Sequence, residues 1–442
     1  MHTFTDSADG EQYVYTQFEA DYCHWVIPVF DQPDLKAKWT FSAVIPASWD
    51  CVSNEFVDPA AGDRSEKAIG SIKEAAALFA QDISTYGELK VLPFKESYKI
   101  STYLYAICVG PYQYQEKNTE GLPPMKIYAR KSIIGDCNFE EMFNVTQAGI
   151  KFYSKFFGQE YPFNKYDQIF VPEHNFGAME NVGCVTYNEG YLFRGEIPSV
   201  AKRLRFASTN LHELAHMWFG NLVTMKWWND LWLNESFATF MSFVALDQAP
   251  EVAYFKTHWV TFLQYKFWGI NDDVLPTTHP ITCVINATDE AENLFDGISY
   301  GKGASFLKQL FNMIGGDVMS KGLGIYFSKH KWQNTELKDF IGAMHDAYLQ
   351  YGGGALGPDF NLWEWSDTWL SSSGVNILEP VIEWNGDGSV KKLQIKQSND
   401  LRGKNRLRKQ KIDLAVYDEH FQPHVVKDIL ISEKDALNDV VV

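Results

Sequence analysis

The sequence lacks long hydrophobic runs, an excess of basic charge and paired cysteine motifs. No stretch approaches the roughly 18 consecutive apolar residues of a membrane span, and the polar, acidic residues 1–12 are unlike a signal peptide. We therefore expect a cytoplasmic chain with no membrane partner. The 39 Lys and Arg against 56 Asp and Glu leave a net charge of −17. This charge repels phosphate backbones and favours cationic ligands such as free amines, so nucleic acid is not an expected partner.

The cysteines also carry no sign of a disulfide framework or of a cysteine metal site. The six of them stand at positions 23, 51, 108, 137, 184 and 283, with no CxxC spacing and with apolar neighbours. We expect reduced, mostly buried thiols. There is no repeat of 20 to 50 residues and no low-complexity tract, which excludes solenoids and disordered arrays.

The sequence contains enough hydrophobic residues to form several hydrophobic cores. It has 442 residues, of which 45 % are hydrophobic and 15 % aromatic. At roughly 150 residues per domain, the length favours about three domains. We predict a multidomain α+β protein.

Three regions differ in their hydrophobic patterning. Residues 1–112 carry short β-rich runs broken by Pro and Gly, typical of an antiparallel β domain, except that residues 63–86 have helical spacing. The pattern over residues 113–374 predicts a mixed α/β domain whose later part is mainly helical. The pattern over residues 375–442 again predicts alternating strands. The predicted strands are 125–130, 168–171, 391–397 and 411–417, and the predicted helices are 139–157, 199–219, 234–247, 300–314 and 335–351.

A candidate metal site lies in the segment His212-Glu-Leu-Ala-His216, inside the predicted helix 199–219. Residues four apart stand one turn apart on the same helix face, so both imidazoles can reach one cation, as zinc requires. Glu213 lies about 100° further round the helix, beside the metal, where it can act on a bound water as a general base. Five other histidines have no such spacing, and we interpret them as structural: His174, His258, His279, His330 and His345.

Glu235 is the candidate third ligand. The chain turns after Gly220, and Asn234 is a good N-cap, so we expect a new helix that places Glu235 in its first turn. An antiparallel return would bring its carboxylate back to the same metal. Two histidines and one glutamate with an open fourth position form a catalytic zinc site, whereas a structural site is closed.

A second segment, Gly177, Ala178, Met179, Glu180 and Asn181, follows the predicted strand 168–171. Its backbone could pair with an extended substrate as an added strand. The carboxylate of Glu180 would then pair with a cationic α-amine and fix where the substrate begins. An ordinary solvated loop acid is the alternative for an isolated Glu.

These segments, with Ile298-Ser-Tyr-Gly-Lys-Gly-Ala304, resemble the gluzincin aminopeptidases of the aminopeptidase N family. The resemblance extends to Thr16-Gln-Phe-Glu19 and to residues 30–37 and 225–235, and so covers nearly the whole chain. It implies a zinc metallo-aminopeptidase that hydrolyses the N-terminal peptide bond of peptides with a free amine and releases one amino acid per turnover.

The resemblance also assigns residue roles and a fold. It implies one zinc ion per chain on His212, His216 and Glu235, with Glu213 as the base. Gln17 and Glu19 would help Glu180 to hold the substrate α-ammonium, and the Tyr300 phenol would stabilise the oxyanion. The implied architecture is a partial N-terminal β domain, a thermolysin-like catalytic domain and a partial C-terminal β-sandwich. Relative to the family we expect truncation at both ends, without the C-terminal helical domain.

Two other functions stay open. A catalytically silent scaffold of the same fold need not hold stoichiometric zinc. A thermolysin-like endopeptidase or an epoxide-hydrolysing relative shares the metal ligands, but an endopeptidase has no reason to keep the segment 177–181. A basic cluster, Arg402, Lys404, Arg406, Arg408, Lys409 and Lys411, is predicted to be a solvated strand edge.

Overall fold

The computed structural model describes residues 1–79, 81–195, 197–354, 356–357, 360–399 and 406–440. The chain divides into two compact units, which are described separately below. The first comprises Met1–Trp227, Met241–His258 and His330–Asn334, and the second comprises Trp228–Phe240, Trp259–Lys329 and Thr335–Val442. The domain boundaries predicted at residues 112 and 374 stay a prediction.

The first unit begins with the expected antiparallel β region. Two sheets form, one in the order β1-β2-β6-β4 and one of β3 and β5. Buried aromatic and aliphatic side chains such as Tyr13, Tyr15 and Val52 pack beneath the larger sheet. The predicted inserted helix is present as α1 and packs on the smaller sheet, but it ends at Leu78 and not at residue 86. The bounds are β1 His2–Thr5, β2 Gln12–Tyr15, β3 Ser42–Pro46, β4 Asp50–Ser53, α1 Gly62–Leu78, β5 Leu89–Pro93 and β6 Ile107–Gly110.

A mixed five-stranded sheet follows in the same unit, in the order β10-β11-β9-β8-β7. Its central strands β8, β9 and β11 run parallel, and the outer strands are antiparallel. The strands predicted at 125–130 and 168–171 are confirmed. The bounds are β7 Tyr112–Lys117, β8 Met125–Arg130, α2 Glu140–Phe157, β9 Gln168–Val171, β10 Ala178–Met179, β11 Val185–Asn188, α3 Val200–Ala215 and β12 Thr224–Met225.

Helix α3 is fixed to this sheet and to α2 by close packing and buried hydrogen bonds. A Cβ on Gly149 of α2 would stand 2.5 Å from the Leu211 side chain, so the absence of a side chain there lets the two helices approach closely. Asn210 donates to Gln168 Oε1 at 2.9 Å and to the Tyr187 hydroxyl at 3.2 Å. The Tyr153 hydroxyl donates to the Leu211 carbonyl at 2.9 Å. The face of α3 that carries the histidine motif is therefore held in one orientation.

The predicted helix ends on either side of the loop between the histidine motif and Glu235 are also wrong. The helix predicted over 199–219 ends at Ala215, and the residues to Phe219 continue as hydrogen-bonded turns. The next helix begins at Trp232, two residues before the predicted N-cap Asn234. Ser199 caps the start of α3, since its hydroxyl accepts a hydrogen bond from the Lys202 amide.

A run of helices occupies the chain after residue 230. The sequence predicted those over 234–247, 300–314 and 335–351 but missed α5, α7 and α9. Within the second unit, Phe237 meets Phe340 edge to face with ring centroids 4.7 Å apart, so aromatic rings form the core between these helices. The bounds are α4 Trp232–Gln248, α5 His258–Asp273, α6 Gly303–Ile314, α7 Gly316–His330, β13 Asn334–Thr335, α8 Leu337–Tyr351 and α9 Leu362–Leu370.

The second unit ends in antiparallel strands arranged as a partial sandwich. A three-stranded sheet, β14-β15-β18, and a hairpin of β16 and β17 share one apolar core that includes Leu393, Ile395, Ile429 and Ile431. The bounds are β14 Asn376–Trp384, β15 Val390–Asn399, β16 Gln410–Tyr417, β17 Pro423–Ile431 and β18 Leu437–Val440.

The prediction that the basic cluster is a solvated edge is wrong for Arg408, whereas Arg406 is exposed as expected and Lys409 and Lys411 are partly exposed. Arg408 is 3 % exposed and donates hydrogen bonds to the carbonyls of Thr368 and Gly374. Arg402 and Lys404 lie outside the described residues. Arg408 is a structural residue because its fork of N–H groups satisfies buried carbonyls.

The cysteine prediction is confirmed. All six cysteines are free thiols, four of them buried, with Cys137 and Cys283 partly exposed. Among the helices of the described residues, none combines the length and the apolar content that a bilayer span needs.

Candidate metal centre and active site

The last turn of α3 and the turn after it carry His212, Glu213 and His216. The Nε2 atoms of the two histidines point toward each other and stand 3.0 Å apart. Two ligands about 2.05 Å from a tetrahedral zinc ion are separated by about 3.3 Å, so the observed spacing suits a shared zinc ion. A cation at this place also suits the negative C-terminal end of the helix.

A hydrogen bond at Nδ1, the ring nitrogen opposite Nε2, sets the orientation of His216. Its Nδ1 atom donates to the Phe219 carbonyl at 3.0 Å, which leaves Nε2 free of a proton and able to bind a metal. The side chain is 1 % exposed. The turns over residues 216–219, where a continued helix was predicted, therefore supply the carbonyl that orients the His216 ring.

Buried carboxylates surround the histidines. One ligand atom each of Glu180, Glu213 and His216 lie within 4.8 Å of one another, and Glu180 and Glu213 are 3 % and 5 % exposed. A carboxylate oxygen of Glu19 also lies within 4.8 Å of one from Glu180. Burying several acids together is costly unless a cation joins them. This part of the first unit is thus suited to a metal ion and to an ammonium group.

The segment that carries Glu180 is an edge strand. Strand β10 pairs with β11 on one side, with Ala178 opposite Tyr187 and Met179 opposite Thr186. It is the terminal strand of the sheet in the described residues. Its outer edge can therefore accept an extended peptide, as the sequence suggested.

Residues from the N-terminal β region reach the same segment. The Gln17 side-chain nitrogen lies 3.1 Å from the Met179 sulfur. The side-chain oxygens of Gln17 and Asn181 are buried and, among the described residues, accept no hydrogen bond. Each is an acceptor that a bound ammonium group could satisfy with one of its three N–H donors.

Asn221 belongs to this site, although the sequence analysis did not single it out. It is fully buried, and its side chain donates to the Glu180 carbonyl at 2.8 Å. Its main-chain N–H donates to the His216 carbonyl at 3.0 Å. Asn221 thus connects the histidine turn to the strand that carries Glu180. Its place directly after the predicted helix end is the one signal that could have drawn attention to it.

The second unit contains Glu235 and Tyr300. Glu235 lies in the first turn of α4, as predicted, and is 2 % exposed. The next residue, Ser236, donates from its hydroxyl to the Ser299 carbonyl at 2.5 Å. The start of α4 and the turn that carries Tyr300 are therefore neighbours within this unit.

The histidines interpreted as structural have local partners instead. His174 is buried against the Thr186 hydroxyl at 3.1 Å, and burial lowers the pKa of His174 to about 4. His258 pairs with Asp247 at 3.1 Å and His279 with Asp296 at 2.8 Å. Among the histidines of the described residues, only His212 and His216 occur in groups of side chains that could hold a metal.

Comparison with known proteins identifies relatives of this chain. Residues 141–369 match the Peptidase family M1 domain, and residues 1–74 match the Peptidase M1 N-terminal domain. Aminopeptidase N of Streptomyces lividans is 39 % identical over 428 residues, which are 95 % of this chain and 45 % of that protein. Probable aminopeptidase 2 of Sulfurisphaera tokodaii is 36 % identical over 333 residues, 75 % of this chain and 39 % of that protein.

Aminopeptidase M1 of Arabidopsis thaliana is 32 % identical over 401 residues, 90 % of this chain and 40 % of that protein. The chain thus spans less than half the length of these relatives. The family model for the catalytic domain covers just over half of the chain and includes the histidine motif, Glu180, Glu235 and Tyr300. The chain belongs to peptidase family M1.

Proposed function

We propose that this chain is a zinc-dependent aminopeptidase that removes one amino acid per turnover from peptides with a free N-terminal amine. The observation that carries the proposal is the buried cluster of Glu180, Glu213 and His216, whose ligand atoms lie within 4.8 Å of one another. A carboxylate that binds the substrate's α-ammonium group beside a metal ligand places the first peptide bond at the metal, so one residue is released.

We assign His212, His216 and Glu235 as the ligands of one zinc ion. Two imidazole nitrogens 3.0 Å apart and a buried glutamate in the first turn of a helix form a donor set of the type that catalytic zinc uses. When bound, zinc supplies a Lewis acid and a water of lowered pKa. Side chains of the protein supply the other catalytic groups.

Glu213 acts as the general base. It lies one residue after a ligand, and its carboxylate is buried near His216, so it can take a proton from the attacking water and deliver it to the leaving amine. Tyr300 donates its phenol hydrogen to the oxyanion. Glu213 thus transfers the proton, and Tyr300 stabilises the negative charge that develops on the substrate oxygen.

Substrate binding rests on the acidic end of the site. Glu180 and Glu19 bind the α-ammonium group, and Gln17 adds an acceptor. Residues Gly177, Ala178 and Asn181 flank this anchor, and the outer edge of β10 pairs with the peptide backbone. Met179 contacts Gln17 and borders the same space.

The acidic anchor favours an aminopeptidase over an endopeptidase, because an internal peptide bond offers no ammonium group. We therefore expect cleavage of peptides with a free N-terminus and none of the same peptides after N-acetylation. Equal cleavage of both would contradict the assignment of Glu180 and Glu19.

The decisive test is hydrolysis of a panel of aminoacyl-arylamides by the purified chain, with and without a chelator. We expect chelator-sensitive release from neutral or basic residues, abolished in Glu213→Gln and unchanged in the exposed control Glu116→Gln. Activity that survives in Glu213→Gln would refute the mechanism. A folded chain that holds zinc weakly and releases nothing would instead support a silent scaffold.

A further inference from the structure

The turn that carries Tyr300 has an unusual construction. Residues Ile298–Lys302 form a π-helical turn that leads directly into α6. Such turns are rare and occur often at functional sites, because they place a side chain where a regular helix could not. What holds the turn in place therefore bears on where the Tyr300 hydroxyl lies.

Asp296 caps the start of this turn. Its Oδ1 atom accepts hydrogen bonds from the amides of Ile298 and Ser299, each at 3.0 Å. Its main-chain carbonyl accepts from the Tyr300 amide at 3.1 Å. One residue thus binds three successive amides, including that of Tyr300 itself.

His279 holds the other oxygen of Asp296. Its Nε2 lies 2.8 Å from Asp296 Oδ2, and its Nδ1 donates to the Pro280 carbonyl at 2.7 Å. Since Nδ1 already donates, a second donation from Nε2 requires the charged imidazolium. Burial acts to lower the pKa of His279, but the hydrogen bonds to Asp296, Cys283 and the Pro280 carbonyl, together with the charge of Asp296, raise the pKa to about 10. The pair is therefore an ion pair at neutral pH.

The rest of the turn lies directly on the backbone of α5. A Cβ on Gly301 would stand 2.0 Å from the Tyr265 carbonyl oxygen, and one on Gly269 would stand 2.5 Å from the Lys302 amide nitrogen. Lys302 in turn makes an ion pair with the fully buried Asp273 at 2.9 Å. The turn cannot shift toward α5, so its remaining freedom lies at the end that Asp296 caps.

The Tyr300 ring leaves this turn stacked on Trp268, with ring centroids 5.6 Å apart and planes 24° from parallel. Stacking limits rotation of the ring about its own bonds. A change in the backbone at the capped end is thus passed on to the position of the hydroxyl.

We propose that Asp296, oriented by His279, is a positioning residue that sets the location of the Tyr300 hydroxyl. The inference rests on the proposed function only in taking that hydroxyl as the oxyanion donor. Neither Asp296 nor His279 is expected to touch the substrate.

The test is a double-mutant cycle of Asp296→Ala and Tyr300→Phe on an aminoacyl-arylamide. If Asp296 acts through Tyr300, Asp296→Ala lowers kcat by about 10- to 100-fold with little change in KM, because a displacement of about 1 Å has an effect of that order. In the Tyr300→Phe background the same change then has almost no further effect. Multiplicative losses in the double variant would overturn the proposal.

Two further variants separate positioning from a general loss of structure. Asp296→Asn keeps an oxygen for the two amides and can donate to a neutral His279, so it should recover most of the kcat lost in Asp296→Ala. The exposed Asp289→Ala serves as the matched control and should match the unmodified chain. Equal losses in Asp296→Asn and Asp296→Ala would contradict the role of the cap.

A spectroscopic measurement keeps this inference distinct from the proposed function. With fluorotyrosine placed at position 300, the fluorine NMR signal reports the ring environment whether or not the chain hydrolyses peptides. We expect one shifted signal in the unmodified chain, which broadens and moves toward that of free fluorotyrosine in Asp296→Ala. An unchanged signal would overturn the positioning role, whereas an inactive chain with the expected change would contradict only the proposed function.

Discussion

Neutralising Glu180 should raise the stability of the metal-free protein and lower kcat/KM of the zinc-loaded protein. The Glu180 carboxylate lies within 4.8 Å of carboxylate oxygens of both Glu19 and Glu213. Two unit charges at that distance repel each other by about 3.5 kcal/mol at an effective dielectric constant of about 20. In the absence of cations, Glu180→Gln removes this repulsion while keeping the size of the side chain.

If Glu180 binds the substrate ammonium as proposed, the same substitution also removes the charge that binds it. A hydrogen bond between charged groups contributes about 2 to 3 kcal/mol, so kcat/KM for substrates with a free amine should fall about 30- to 150-fold. The unfolding temperature of the metal-free protein should rise by up to about 7 to 14 °C, since each kcal/mol of repulsion removed corresponds to about 2 to 4 °C in a unit of this size.

The assay pairs a thermal melt of the chelator-treated protein at low salt with kinetics of the zinc-loaded protein. Glu116→Gln, an exposed change of the same kind, should alter neither quantity. A lower melting temperature together with unchanged kcat/KM in Glu180→Gln would refute the account of this acidic cluster.

The remaining predictions concern other parts of the chain. Asn221→Ala should lower the free energy of unfolding by about 1 to 3 kcal/mol and raise KM, because it leaves the buried Glu180 carbonyl without its donor; denaturant titration and kinetics check this, and wild-type values would contradict it. The pKa of His174 is lowered to about 4, so the unfolded chain binds its proton first as the pH falls. Stability from this residue is complete above about pH 6.5 and is lost between there and pH 4, by about 3 kcal/mol in total. Unfolding curves of His174→Gln across this range should show a weaker acid dependence, and an identical one would show the effect lies elsewhere. A thiol reagent should modify only Cys137 and Cys283 rapidly in the folded protein and all six cysteines after unfolding; rapid reaction of all six in the native state would contradict their burial.

The elements predicted well from the sequence are those whose signal is local. The spacing of His212 and His216 on one helix face follows from 3.6 residues per turn, and the structure places His212 in the last turn of α3 and His216 at its C-cap. The strand over Gln168–Val171 was evident from its short apolar run between turn residues. The helices α5 and α7 were missed for reasons that are also local. Exposed aromatic residues on α5 blur its amphipathic pattern, and glycines interrupt that of α7.

Features that depend on distant parts of the chain could not be predicted in this way. Asn221 acts through the carbonyl of a residue 41 positions away, and no spacing rule reveals such a bond. Arg408 was expected in solvent because charged residues usually are, but four acceptors from residues 368–376 enclose it. The π-helical turn at Tyr300 likewise depends on the cap from Asp296 and on contact with α5.

The most direct test of the central claim is the zinc content of the purified chain, measured by elemental analysis after dialysis from zinc-replete buffer. If His212, His216 and Glu235 bind one ion together, the chain retains one zinc ion per molecule. A chain that is folded but retains no zinc under these conditions would contradict the claim.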